Sequence, residues 1–238
     1  MESILAATDG GPSGRLAVVR AASIARETGA ELHAVHVVDP ESEPTATSST
    51  AARVAEAELR RHLSRIDPRP ELHVGHGSTF VEVAHLARSL DVDLIVAGAH
   101  RSPGVRRFFI GTTAGRLARH GDRPLLLVRR PVRGPYHRVL VGVDASSASS
   151  DAIVTARAIA PTATIVPAMV YRVVGESKLR HIADEAAIAE LRAQVIQHRA
   201  EELADFLAAH ARDTETDEPL LEIGDPNERL PELPGEHH

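Results

Sequence analysis

Short runs of apolar residues, each about one strand long and separated by a stretch of helical periodicity, constrain this chain most. Ile4–Thr8, Leu32–Val38, Glu71–Gly75, Leu94–Ala97 and Pro124–Val128 read as strands in the first half. Between them lie helical patterns: one opening at Pro12-Ser13 with Ala17, Ala21 and Ile24 on one face and Gly29 as its C-cap, and one ending near Ile66. A third carries Phe80, Val83, Ala84, Ala87 and Leu90 inward, and a fourth spans Thr112–His120. Strands that are apolar throughout, rather than alternating, are buried on both faces. Strand–helix alternation then predicts an α/β fold, a doubly wound parallel five-stranded sheet covered by helices on both sides. In such sheets ligands bind beyond the carboxyl ends of the strands, where the strand order reverses.

The plan recurs. Ile4-Leu-Ala-Ala-Thr-Asp9 is echoed by Val139-Leu-Val-Gly-Val-Asp144 at an offset of 135, and Val74-Gly75-His76-Gly77 by Leu221-Glu222-Ile223-Gly224 at 147. The second copy therefore has about twelve extra residues, expected around Tyr171–His181 and the helix that follows. Its predicted elements are a strand at Val139–Val143, a helix from about Ser149, a strand at Thr164–Val170, a long helix at Asp184–Ala211 and a strand at Pro219–Ile223. Gly224-Asp225-Pro226 opens another helix, with only 14 residues left in the chain, so a fourth and fifth strand are not expected in this copy. The expected organisation is a first domain at 1–130, a Pro/Gly-rich linker at 131–137 and an incomplete second domain at 138–238.

Composition removes several function classes. There is no Cys, so disulfides, thiolate metal sites and Cys nucleophiles are excluded, which fits a reducing compartment. Lys178 is the single lysine and no G-x-x-x-x-G-K-[ST] precedes it, so there is no P-loop. Six aromatics and a net charge of −6 make nucleic-acid stacking a poor fit. No apolar run approaches the ~18 residues of a membrane span, and Met1-Glu2-Ser3 lacks the basic start of a secretory signal. A cytoplasmic protein without membrane or nucleic-acid partners is expected. Charge is uneven: residues 98–133 hold nine Arg against one Asp, and 182–238 hold fifteen acids against four Arg.

Several motifs lose on inspection. Asp9-Gly10-Gly11-Pro12-Ser13-Gly14 has a carboxylate where a dinucleotide loop needs its first Gly. Gly11-Pro12-Ser13-Gly14-Arg15 misses the last Gly of a hydrolase elbow. His33-x-x-His36 and His73-x-x-His76 have metal-pair spacing, but residues three apart on a strand point to opposite faces, so no metal site is expected. The stripe Ile188, Leu191, Val195, Leu203, Phe206 and Leu207 of the long helix reads as core packing or a partner-helix face.

The strongest signal is DLIVAGAHRSPGVRRFFIGTTAGRLARHGDRPLLLVRR at 93–130. It reads as a strand, a glycine at its carboxyl end, a basic loop, and Gly111-Thr112-Thr113 at a helix N-terminus, where amides and hydroxyls suit phosphate oxygens. An ordinary βα turn with a Thr cap would read the same by composition. Arg101, Arg106 and Arg107 could add charge-assisted contacts.

With the VLVGVD-type openings of both copies, His36-Val37-Val38-Asp39 and Gly224-Asp225-Pro226, this stretch resembles the universal stress protein family in its tandem form. The resemblance implies an adenine nucleotide alpha hydrolase-like fold and a non-enzymatic, nucleotide-responsive regulator or binding module. It implies ATP, with Mg²⁺ as a companion, in the first copy: Thr8 and Asp9 facing ribose and adenine, the Val37 backbone on adenine, Ala97 and Gly98 along ribose and phosphates, and Gly111, Thr112 and Thr113 on phosphate. Nucleotide-binding members carry G-x2-G-x9-G-[S/T]; here Arg101 stands at the second Gly. Its side chain either blocks the pocket or swings out to pair with phosphates, and both stay open. A scaffold without ligand is the competing reading, and a slow ATPase the third. Family members pair through their last strand, so a homodimer through the Pro124–Val128 edge is expected.

Overall fold

The computed structural model describes residues 1–38, 49–99, 112–173, 184–210 and 216–233, with the side chains at 49–55 and 112 excepted. Arg101 and Gly111 lie outside the described residues. The chain divides into two compact units, Met1–Pro135 and Tyr136–His238.

The first unit runs β1 (Ser3–Ala7), α1 (Pro12–Thr28), β2 (Glu31–Val38), α2 (Ser49–Leu63), β3 (Glu71–His76), α3 (Thr79–Ser89), β4 (Leu94–Gly98), α4 (Thr112–His120) and β5 (Leu125–Val128). Its sheet has the order β3-β2-β1-β4-β5, and every pairing is parallel. The order reverses between β1 and β4, which places the switch point at Ala7 and Ala97, partners in the register.

Helix α1 starts where Pro12 supplies a preset φ at N1 and stops where Gly29 turns left-handed at φ 77°, its N–H closing on Ala25 O. Its inner face is built from small residues, Gly14, Ala17, Ala21 and Ala22 with Ile24, and it packs on β1 and β4 at short range. On the opposite face of the sheet, Leu5, Val35 and Ile95 meet Val83, Ala87 and Leu117 in one cluster. Ile4, Leu5, Leu94 and Ile95 are almost wholly excluded from solvent, and each contributes about 1.5–3 kcal/mol by burial.

The second unit repeats the plan in shortened form: β6 (Arg138–Gly142), α5 (Ser147–Ile159), β7 (Thr164–Tyr171), α6 (Glu185–His210), β8 (Leu220–Ile223) and α7 (Pro226–Arg229). Its parallel sheet has three strands in the order β6-β7-β8. Helix α6 has 26 residues where α2 has 15, so the expected lengthening of this copy is carried by the helix. Of the apolar stripe read along α6, only Leu203 and Phe206 are buried, against Ile153, Ile165 and Met169. Ile188, Leu191 and Val195 are half-buried, so core packing accounts for the end of the stripe rather than its whole length. The other face of this sheet is closed by the C-terminal turn: Leu233 is fully buried against Ala168 and Val170, with Leu230 beside it.

Candidate functional site

The turn after β1 organises the carboxyl end of the first sheet. Thr8 is buried, its N–H bonds to Val35 O, and its Oγ1 accepts from Gly10 N at 3.1 Å. Asp9 Oδ1 accepts from Gly11 N at 2.8 Å, which holds the carboxylate in the turn that leads into α1. Gly10 takes φ 74°, the left-handed conformation glycine adopts freely. A Cβ at Gly14 would lie 2.5 Å from Asp9 Oδ1 and 2.6 Å from Thr8 Oγ1, so the chain passes there only because the side chain is missing.

Beside this turn, between α1 and α2, lies a cleft of about 320 Å³. Val18, Leu59 and Leu63 form its buried apolar lining, Thr8 and His36 stand at the strand ends, and Asp9, Arg15, Glu58 and His62 are at its rim. His36 is buried and its Nδ1 lies 3.0 Å from Thr8 O. Arg15 Nη1 and His62 Nε2 approach to 3.4 Å across the rim, and His62 Nδ1 lies 3.0 Å from Glu58 O. An apolar cavity of this size with a few convergent polar groups has the makeup of a small-molecule site.

The residues expected to share one pocket divide between the two faces of the sheet. Thr8 and Gly98 face α1, as the Cβ directions at Gly14 and Gly98 show. Val37 packs against the Leu5–Val35–Ile95 cluster on the α3 and α4 side, and Ala97 has the strand parity of Ile95. Thr113 stands in the first turn of α4. The cleft takes in Thr8 and Asp9 of this set. On the side where a Cβ would stand, Gly98 faces the Ser13 carbonyl, and Ser13 Oγ reaches Ala99 O at 3.4 Å. The glycine is required by helix–strand packing at this point.

Sequence reasoning missed Arg15, His36, Glu58 and His62. His36 carried a signal, as a polar residue between Val35 and Val37 in the buried part of β2. The other three are brought in by the placement of α2, which no local pattern fixes.

Residues 1–129, more than half of the chain, match the model of the Universal stress protein family. The chain belongs to the universal stress protein family. Among curated relatives, Universal stress protein G of Shigella flexneri is 38% identical over 78 residues, 32% of this chain and 54% of the relative. Universal stress protein G of Salmonella typhimurium is 37% identical over 65 residues, 27% of this chain and 45% of the relative. The chain thus spans about half the length of the curated relatives it matches. A universal stress protein from Archaeoglobus fulgidus DSM 4304 has the same fold over 98% of this chain and 83% of its own, with a TM-score of 0.66 at 15% identity. A functionally unknown protein from Pseudomonas aeruginosa PAO1 gives a TM-score of 0.65 at 18% identity, covering 99% of this chain and 78% of that one. At these identities the structures share the fold of the universal stress protein.

The second unit handles the same turn differently. Asp144 occupies the place of Asp9, and its Oδ1 accepts from Ser146 N at 3.1 Å, Ser146 Oγ at 2.5 Å and Ser149 Oγ at 2.7 Å. The hydroxyls of Ser146 and Ser149, then the Ser146 amide, hold this carboxyl below the ordinary aspartate range. Ser149 stands where the first unit has Gly14, and there its hydroxyl bonds the carboxylate that in the first unit leaves no room for a side chain.

At the opposite end of the first sheet, β2 and the edge strand β3 bring two histidines together. His33 Nδ1 lies 3.2 Å from His73 Nε2, with ring centroids 5.3 Å apart. Burial, chiefly, pushes the His73 imidazole below its usual pKa, opposed by Glu71 and reinforced by His33. Among the described residues no helix is long and apolar enough to cross a membrane.

Proposed function

We propose that this universal stress protein is a nucleotide-responsive binding module rather than an enzyme, and that its first unit binds ATP at the carboxyl end of the sheet. The observation that carries the reading is the apolar cleft beside Thr8 and Asp9, at the end of the strand where the family's nucleotide-binding members present their opening aspartate. In this reading the base and sugar enter between α1 and α2, with the Asp9 carboxylate accepting from ribose or amino hydrogens. The Asp9 carboxylate stands at the start of α1, so phosphates belong at the second helix start, where Thr112 and Thr113 open α4. Mg²⁺ would accompany the phosphates there. Occupancy acts by favouring one arrangement of the surface over another, the only way a ligand shifts an equilibrium.

The second reading, a scaffold without ligand, is favoured by the Ser13–Gly98 contact, which fills the α1 side of the crevice between β1 and β4. Calorimetric titration with ATP and Mg²⁺ decides between them. Saturable one-to-one binding that Asp9→Ala weakens supports the module. No heat and no thermal shift support the scaffold, and steady ADP release lost in Thr112→Ala would make the protein an ATPase. Arg101→Gly compared with the parent tells whether the side chain at 101 obstructs the site or pairs with phosphate.

We further propose a homodimer through Leu125–Val128, which lies at the edge of the first sheet as three half-buried leucines and a valine. Proteins seldom leave such an edge bare. A monomeric mass by light scattering at micromolar concentration would overturn it. A cytoplasmic location is part of the same proposal.

A further inference from the structure

We infer that His33, His73 and Glu71 form a binding site for a borderline divalent cation, with Zn²⁺ the best match, that clips the edge strand β3 to β2. The three side chains come from neighbouring strands. The register pairs His33 with Glu71 and Val35 with His73, so His73 sits two residues along on the same face as both. Neither in-strand pair, His33 with His36 or His73 with His76, could chelate; the cross-strand pairing supplies what spacing along one strand cannot.

The distances suit a metal. One donor atom from each residue can be chosen so that all three lie within 4.8 Å of one another. His33 Nδ1 is 3.2 Å from His73 Nε2 and 3.7 Å from Glu71 Oε2. Two nitrogens each bound at about 2.0–2.1 Å with a tetrahedral angle between them stand about 3.3 Å apart, so the imidazoles already have nearly the required bite. Two imidazoles and one carboxylate are borderline ligands, suited to zinc and its neighbours rather than to Mg²⁺ or Ca²⁺.

The surroundings agree. His33 has a side chain 9% exposed and Glu71 one 70% exposed, so the cation enters from the Glu71 side and keeps its fourth position toward water. The far nitrogen of His33, Nε2, lies 3.9 Å from the Glu31 carboxylate, which places a further negative charge beside the site. Without metal, one hydrogen lies between the two rings along the 3.2 Å contact; on binding, the ring that held it carries its hydrogen on the nitrogen facing away from the cation.

The test uses the full chain with His237 and His238 changed to Ala, which removes the other adjacent histidine pair, stripped of metal by a chelator. Co²⁺ is titrated while the visible d–d bands are followed, and Zn²⁺ is then added in competition. One equivalent of Co²⁺ with intense tetrahedral bands, displaced by Zn²⁺, is expected. Glu71→Gln on the exposed side should weaken Co²⁺ binding by about tenfold or more, and His73→Asn should abolish the bands. Zn²⁺ should raise the melting temperature of the parent but not of His73→Asn, whose circular dichroism reports that it is folded. No stoichiometric uptake, or uptake unchanged by both variants, overturns the site and leaves a histidine–histidine hydrogen bond only.

Discussion

Ser149 donates its hydroxyl to Asp144 Oδ1 at 2.7 Å, and in turn accepts from the Asp144 amide at 2.9 Å. The corresponding pair in the first unit is Gly14 and Asp9, with no side chain at Gly14 to make the same contact. In the second repeat three donors converge on the strand-end carboxylate, whereas in the first Asp9 accepts from Gly11 N and lines the cleft.

Ser149→Ala removes both bonds and should therefore cost the second unit about 1–3 kcal/mol, at about 0.5–1.5 kcal/mol for each side-chain hydrogen bond. The carboxylate is exposed and keeps the Ser146 contacts, which holds the loss at the low end. Urea unfolding at neutral pH measures it.

The same bond carries a pH signature. The Asp144 pKa is lowered in the folded state, so its contribution is present above the unfolded value near 3.8 and is lost as pH falls through the folded one. The stability gap between parent and Ser149→Ala should be constant from pH 7 to about pH 5 and shrink below the ordinary aspartate pKa. A gap that grows on acidification would contradict the assignment.

Ala145 sits at φ 59°, and the equivalent turn residue of the first unit is Gly10 at φ 74°. A left-handed conformation costs an L-residue about 1–2 kcal/mol, part of which glycine's freedom in the unfolded chain offsets. Ala145→Gly should stabilise by about 0.5–1 kcal/mol. Gly10→Ala, where a Cβ meets nothing within 4 Å, should destabilise by about as much through strain alone. Shifts of denaturation midpoint in opposite directions check the pair.

Gly98→Ala meets the Ser13 carbonyl, backbone that cannot swing aside. The expected loss is about 3 kcal/mol, at the upper end of overpacking, and it should fall on the first unit. A variant as stable as the parent would show that α1 can shift away from β4.

Leu233 closes the second sheet with a fully buried side chain. Leu233→Ala should destabilise that unit by about 2–5 kcal/mol, because Ala168 and Val170 lose their cover. Chemical denaturation followed by circular dichroism measures it.

The alternation of buried runs and helical patterns determined the two parallel sheets, because strands covered on both faces must be apolar throughout and the helices between them must show one apolar stripe. Pro12 and Gly29 marked α1 to the residue, since the proline ring fixes φ and the absence of a Cβ lets glycine turn left-handed. Tertiary structure decided the rest. Whether Thr8 and Val37 share a pocket depends on which face of the sheet each meets. Arg15 and His62 come together only when α2 lies down beside α1. His33 finds His73 through the register of two strands forty residues apart, and no spacing along one strand encodes that meeting. Periodicity is a property of neighbours in sequence; a binding site is made by neighbours in space.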